Sequence, residues 1–163
     1  MAGLILIFMI FILTLVILVI AGLWKVYEKA GQEGWKCLIP IYNAVVLLRI
    51  VGKPAWWIWL MVVPFIISAI LTFNSRGSIA PPLLAFALNI VGYVYIVWTY
   101  NMLSKSFGKT EAFTAGLLFL GVIFIPILGF GDSKYLGPYG DKVAFDAYNP
   151  NNRFDFEDDK FSN

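Results

Sequence analysis

Histidine is missing from this 163-residue chain, and cysteine occurs once, at Cys37. An intramolecular disulfide is therefore excluded, and zinc or haem ligation has no ligand set to draw on. Charge is also scarce. Charged residues make up 13% of the chain, where soluble domains carry about a quarter. No Asp, Glu, Lys or Arg falls in residues 1–24, 54–75, 77–104 or 112–131. The usual markers of ion or proton pathways, acidic or basic groups inside the membrane, are thus absent from the apolar runs. A net charge of +2 leaves no electrostatic footprint for nucleic acid, and no nucleic-acid partner is expected.

What remains is apolar: 60% of the residues are hydrophobic. A soluble core of one domain cannot absorb that much apolar surface, so lipid is the expected solvent and partner. The four charge-free stretches predict spans at about 3–24, 55–73, 82–103 and 112–130, each near the ~20 residues that ~30 Å of hydrocarbon requires. In the first, 15 of the 17 residues from Leu4 to Ile20 are Leu, Ile, Val or Phe. At about −0.3 to −0.6 kcal/mol each, they favour insertion by about 5–9 kcal/mol. Its length and the missing basic n-region predict a retained helix rather than a cleaved signal peptide. A fifth segment, 38–51, contains Pro40 and Asn43 and is too short to cross. It reads as an interfacial or re-entrant helix; a crossing would add a fifth span. The expected fold is therefore an all-α integral membrane protein with four transmembrane helices, one short interfacial or re-entrant helix and a polar tail.

Basic residues set an orientation. The connections around the short helix and after the third run hold Lys25, Lys29, Lys36, Arg49, Lys53, Lys105 and Lys109. The other side would hold Arg76, Lys134 and Lys142. The positive-inside rule then puts the first group in the cytoplasm and both termini in the periplasm. The membrane domain is 1–131 and the tail 132–163 is periplasmic. That tail has net charge −3 and recurrent aromatics, among them Phe154 and Phe156. It reads either as a solvated tail or as a segment that docks on a partner.

Candidate chemistry is sparse. Ser104, Lys105 and Ser106 are the residue types of a serine–lysine hydrolase. Adjacent side chains diverge on a helix, however, so Lys105 reads as an interfacial anchor. Asn89, in the middle of the third run, reads as an interhelical hydrogen bond or as part of a polar path. Ala112, Ala115 and Gly116, with Gly121 beyond, form a small-residue face suited to close helix packing, within the chain or against another subunit. No catalytic, cofactor-binding or metal-binding residues are expected, and no cofactor.

Four blocks stand out in order. They are Gly34-Trp35-Lys36-Cys37-Leu38-Ile39-Pro40-Ile41-Tyr42-Asn43, Val51-Gly52-Lys53-Pro54, Lys105-Ser106-Phe107-Gly108-Lys109, and the run from Pro126 to Tyr135. Through them the chain, over about 30–136, resembles a Bacteroidota inner-membrane family of unknown function. That family is found alone or fused ahead of signal-peptidase-I-like proteases, and single-module members are often labelled signal peptidases. Cys37 departs from the pattern, which favours a small residue there. The protease's Ser-Met-x-Pro-Thr block is missing, so the chain is not expected to be an enzyme. The resemblance implies an accessory or scaffold subunit of an inner-membrane complex, with the Sec protein-export machinery and signal peptidase as partners. The alternative is a small transporter or channel component for a neutral or lipidic substrate. Partner-binding or structural candidates are Trp35, Pro40, Tyr42, Asn43, Lys53, Pro54, Asn89, Ala112, Gly116, Phe154 and Phe156.

Overall fold

The computed structural model describes residues 1–74 and 80–148. The described residues contain helices and connections but no strand. Helix α1 is Ala2–Lys29, α2 Pro40–Ile50, α3 Trp57–Phe73 and α4 Ala80–Ser106; α5 Glu111–Phe119, α6 Gly121–Phe130 and α7 Lys142–Tyr148 follow. A 3-10 turn, Gly34–Leu38, joins α1 to α2. A helix satisfies its own backbone groups, so long apolar runs with no sheet partner settle into this form.

Two of these helices, α1 and α4, are long and apolar enough to cross a membrane. The 17 residues of α3 measure about 26 Å at 1.5 Å each, the lower end of the spanning range. It packs along α4, with Pro64 and Ser68 buried at the contact. The expected segment 38–51 is helical as α2, and Pro40 occupies its first turn, where a missing N–H costs nothing.

The fourth run does not form one helix. It breaks at Leu120, where φ −126° and ψ 39° leave the helical region. In a straight helix Phe113 and Phe124 would stand about 16 Å apart along the axis. Their ring centroids are 5.0 Å apart, so α5 and α6 fold back on each other. Both ends of this hairpin meet the same part of the molecule. At its start, Ser104 Oγ donates to the Thr110 carbonyl. At its end, Lys29 Nζ donates to the carbonyls of Leu128 (2.8 Å) and Gly131 (2.6 Å). Lys109, before the hairpin, and Asp132, after it, are both charged neighbours of Lys29. With 9 and 10 residues, each arm is about 14–15 Å long. A single crossing over 112–130 is therefore replaced by a helical hairpin, because tertiary contacts hold both its ends together.

The start of the tail, expected on the side opposite the connections, packs against them. The Tyr135 hydroxyl donates to the Ile50 carbonyl at 2.5 Å, and the Gly140 amide to the Val51 carbonyl at 2.7 Å. The Leu136 amide donates to the Ser106 carbonyl at 2.7 Å. These bonds tie 135–140 to the ends of α2 and α4. Phe154 and Phe156 lie outside the described residues.

The helices follow one another as neighbours: α3 packs on α4, α4 on α5, α5 on α6 and α6 on α1. The buried apolar core sits at one end of this row. Val26 and Tyr27 of α1, Cys37 of the turn, Val46, Ile50 and Val51 at α2, Met102, Leu103 and Phe107 at α4, and Leu128 of α6 form one cluster. The opposite end of α1 has no such cover: every side chain from Leu4 to Leu13 is at least 43% exposed.

Candidate functional site: the polar base

The four sequence blocks converge on that buried end, which we term the base. Two of them owe their Gly-Lys pairs to helix termination. Gly52 (φ +80°) and Gly108 (φ +66°) adopt the left-handed conformation that ends α2 and α4. The Lys53 amide then returns to the Leu48 carbonyl, and the Lys109 amide to that of Ser104.

The Lys53 side chain then holds backbone elsewhere, whereas Lys109 lies over the Phe113 ring at 5.7 Å. Lys53 Nζ donates to the Gly140 carbonyl at 2.9 Å and lies 5.1 Å from the Trp57 ring centre. Trp57 in turn meets Tyr95 and Trp98 edge-on, at 5.4 and 5.7 Å. Pro54 is exposed beside this cluster, and its carbonyl accepts from the Trp57 amide that opens α3. Lys29 supplies positive charge and donors to the carbonyls at the end of α6, where an apolar helix would otherwise leave them bare.

The first block forms the other flank. The buried Tyr27 hydroxyl donates to the Asn43 carbonyl at 2.9 Å and also meets its side-chain Oδ1. This pins the start of α2 to α1. Trp35 stacks on Tyr42 at 6.4 Å, and its Nε1 donates to Glu33. Pro40 is exposed at the helix start. Gly34 lies against the Trp24 ring, leaving no room there for a side chain.

Ser104 and Ser106 are fully buried, and both hydroxyls hold backbone: Ser104 Oγ as above, and Ser106 Oγ by accepting from the Tyr139 amide. Lys105 pairs instead with Glu111 at 3.1 Å. Burial pushes the Cys37 thiol and the Tyr135 hydroxyl above their ordinary ranges, so both stay neutral. Among the described residues no three His, Cys, Asp or Glu side chains gather as a metal site would require.

Two candidates sit away from the base. Asn89 Oδ1 accepts from Ser68 Oγ at 2.9 Å across the α3–α4 contact. On α5, Ala112 and Ala115 are exposed, and Gly116 seats the Phe124 ring of its own hairpin. Gly116 therefore closes the hairpin, while Ala112 and Ala115 stay uncovered on the outer face of α5. The close crossing lies elsewhere, between Gly22 of α1 and Pro126 and Gly129 of α6. A Cβ on Gly22 would sit 2.8 Å from Pro126 Cα, and one on Gly129 would sit 2.9 Å from Gly22 Cα. Sequence reading passed over these glycines, although an isolated glycine in a helical run is a signal of close approach.

The chain is thus an all-helical protein with two helices long enough to span a bilayer, organised around a hydrogen-bonded base. The model of a family of unknown function (DUF5684) matches residues 35–76 and 78–138, and the chain belongs to that family. The matched region takes in the helices from α2 to α6 and most of the base, whereas α1, with the Tyr27 and Lys29 that the base draws from it, precedes it. Comparison with curated proteins and with solved structures found no match.

Proposed function

We propose that this protein is a non-catalytic accessory or scaffold subunit of a larger complex in the bacterial inner membrane. The observation that carries the reading is the exposed outer half of α1. Leu4–Leu13 present exposed apolar side chains on every face, and none of them is buried among the described residues. Water would penalise such a helix heavily, at about 25 cal/mol per Å² of apolar surface. A bilayer accepts it and leaves its whole circumference open to another transmembrane helix. The base, by contrast, spends its polar groups on internal ties.

In this reading α1, α3 and α4 cross the bilayer, and the α5–α6 hairpin dips in from one side. Placing the start of the tail at the base adds Lys134 and Lys142 to the seven basic residues of the connections. Nine of the basic residues near helix ends then gather at the base, with Arg76 between α3 and α4, and the positive-inside rule puts the base in the cytoplasm and the N-terminus outside. A link to protein export, through the translocon or signal peptidase, rests on the family resemblance and is the narrower part of the proposal.

A photo-crosslinking residue at Phe8, followed by gentle-detergent purification, tests the idea. We expect a defined crosslink to a translocon or signal-peptidase subunit. Crosslinks to other membrane proteins would remove the export link, and a lone monomer crosslinked only to lipid would sink the scaffold role.

A further inference from the structure

We infer that the groove between α2 and α3 binds an anionic phospholipid, with Arg49 holding its phosphate; this rests on the membrane reading above. The groove has a volume of about 500 Å³, and Ile41 and Val45 of α2 form one wall. Ile58, Trp59 and Val62 of α3 form the other. Its lining is that of an acyl-chain site, and its size is within the ordinary range for small-molecule pockets.

Arg49 belongs to the same stripe of α2. Residues 41, 45 and 49 follow one another at i+4 spacing, each about 40° further round the helix. The other faces of α2 are committed to the base through Val46, Leu48 and Ile50. Ile41 and Arg49 are exposed, so the stripe looks outward along its length. Arg49 lies at the end of α2 next to the turn that leads to Ala55 and Trp56, which also line the groove.

Charge selects the ligand. Arg49 has no ion pair among the described residues, and the sequence contains no Asp or Glu between Glu33 and Glu111. No carboxylate on α2, α3 or α4 competes for its guanidinium. Lys53 nearby is already engaged by Gly140 and Trp57. An exposed guanidinium with no ion pair among the described residues, at the end of α2 beside an apolar groove, matches an amphiphile with a phosphate at one end and a hydrocarbon chain at the other. The exposed indoles of Trp56 and Trp59 suit the headgroup level that such a ligand would occupy.

The test uses the full chain in vesicles of phosphatidylcholine and phosphatidylglycerol, in which one lipid at a time carries brominated acyl chains that quench tryptophan. Quenching by either lipid reports membrane embedding; only the ratio between them reports the site, and free phosphate does not register. For the wild type we expect brominated phosphatidylglycerol to be preferred about five-fold at the groove. Arg49→Gln removes a side chain with no described partner and should abolish the preference. Lys109→Gln, an equal loss of charge on the connection between α4 and α5, should keep it. Equal quenching by both lipids in the wild type, or equal losses in the two variants, would overturn the site while leaving the membrane reading intact. No quenching by either lipid would overturn both.

Discussion

Replacing Gly129 by alanine tests how α6 is held against α1. The added methyl would sit 2.9 Å from both Cα and C of Gly22, and closer still to its carbonyl oxygen. Ordinary contact begins near 3.4 Å, and the obstruction is backbone that cannot rotate away. Helix α6 must therefore retreat by at least ~0.5 Å, the distance needed to restore normal packing. Overpacking of this kind costs about 1–3 kcal/mol. The same retreat stretches the Lys29 bonds to Leu128 and Gly131, now 2.8 and 2.6 Å. A charge-assisted bond weakened there forfeits up to about 1.5–3 kcal/mol. Alanine returns about 1 kcal/mol through its higher helix propensity. The net expectation is a loss of about 3 kcal/mol, within a range of about 1.5–5. Unfolding by SDS in mixed micelles, followed by tryptophan fluorescence, measures it. Gly121→Ala is the control, since a Cβ there meets only Ile125 Cδ1 at 3.7 Å. It should stay within about 1 kcal/mol of the wild type. Equal stability of the two variants would refute the close crossing.

Three further outcomes are expected. In a Cys37→Ser background, single cysteines at Glu33 and Lys142 should react with a membrane-impermeant thiol reagent from the same side, and one at Gly3 from the other; opposite labelling of 33 and 142 would restore a crossing fourth helix. Lys29→Met should cost about 1–3 kcal/mol and speed hydrogen exchange around 128–133, whereas Lys25→Met, which breaks only the exposed pair with Glu28, should leave exchange there unchanged. Stability should fall as pH rises above about 9, the ordinary value of the thiol, and further above 10, that of the phenol. The sign follows from the upward shifts of Cys37 and Tyr135: the unfolded chain loses these protons first, so each rise in pH favours it. Cys37→Ala with Tyr135→Phe should flatten the slope, and an unchanged slope would assign it to other groups.

Much of the base was legible along the chain. The short helix after Pro40 and the turns at 52 and 108 follow from local chemistry: a proline that starts a helix, glycines that end one, and polar groups concentrated where apolar runs stop. Asn89 finds Ser68, one of the two expectations for it, because an amide among apolar helices needs a partner. The hairpin was not legible. Over 112–130 the residues are uniformly apolar, and hydropathy measures the cost of transfer into lipid, not the direction in which the chain travels.

The sequence by itself determined that the chain is helical, that it contains apolar runs long enough to span a bilayer, and where its polar residues collect. These are properties of short windows, governed by backbone satisfaction and transfer free energy. Only the tertiary structure decided that the fourth run turns back and that residues 135–140 join the connections. Those outcomes depend on Lys29 reaching the end of α6, and on Tyr135 and Gly140 reaching α2, from about 85–100 residues away. Such partners meet only when the helices pack, and no window of sequence contains them both.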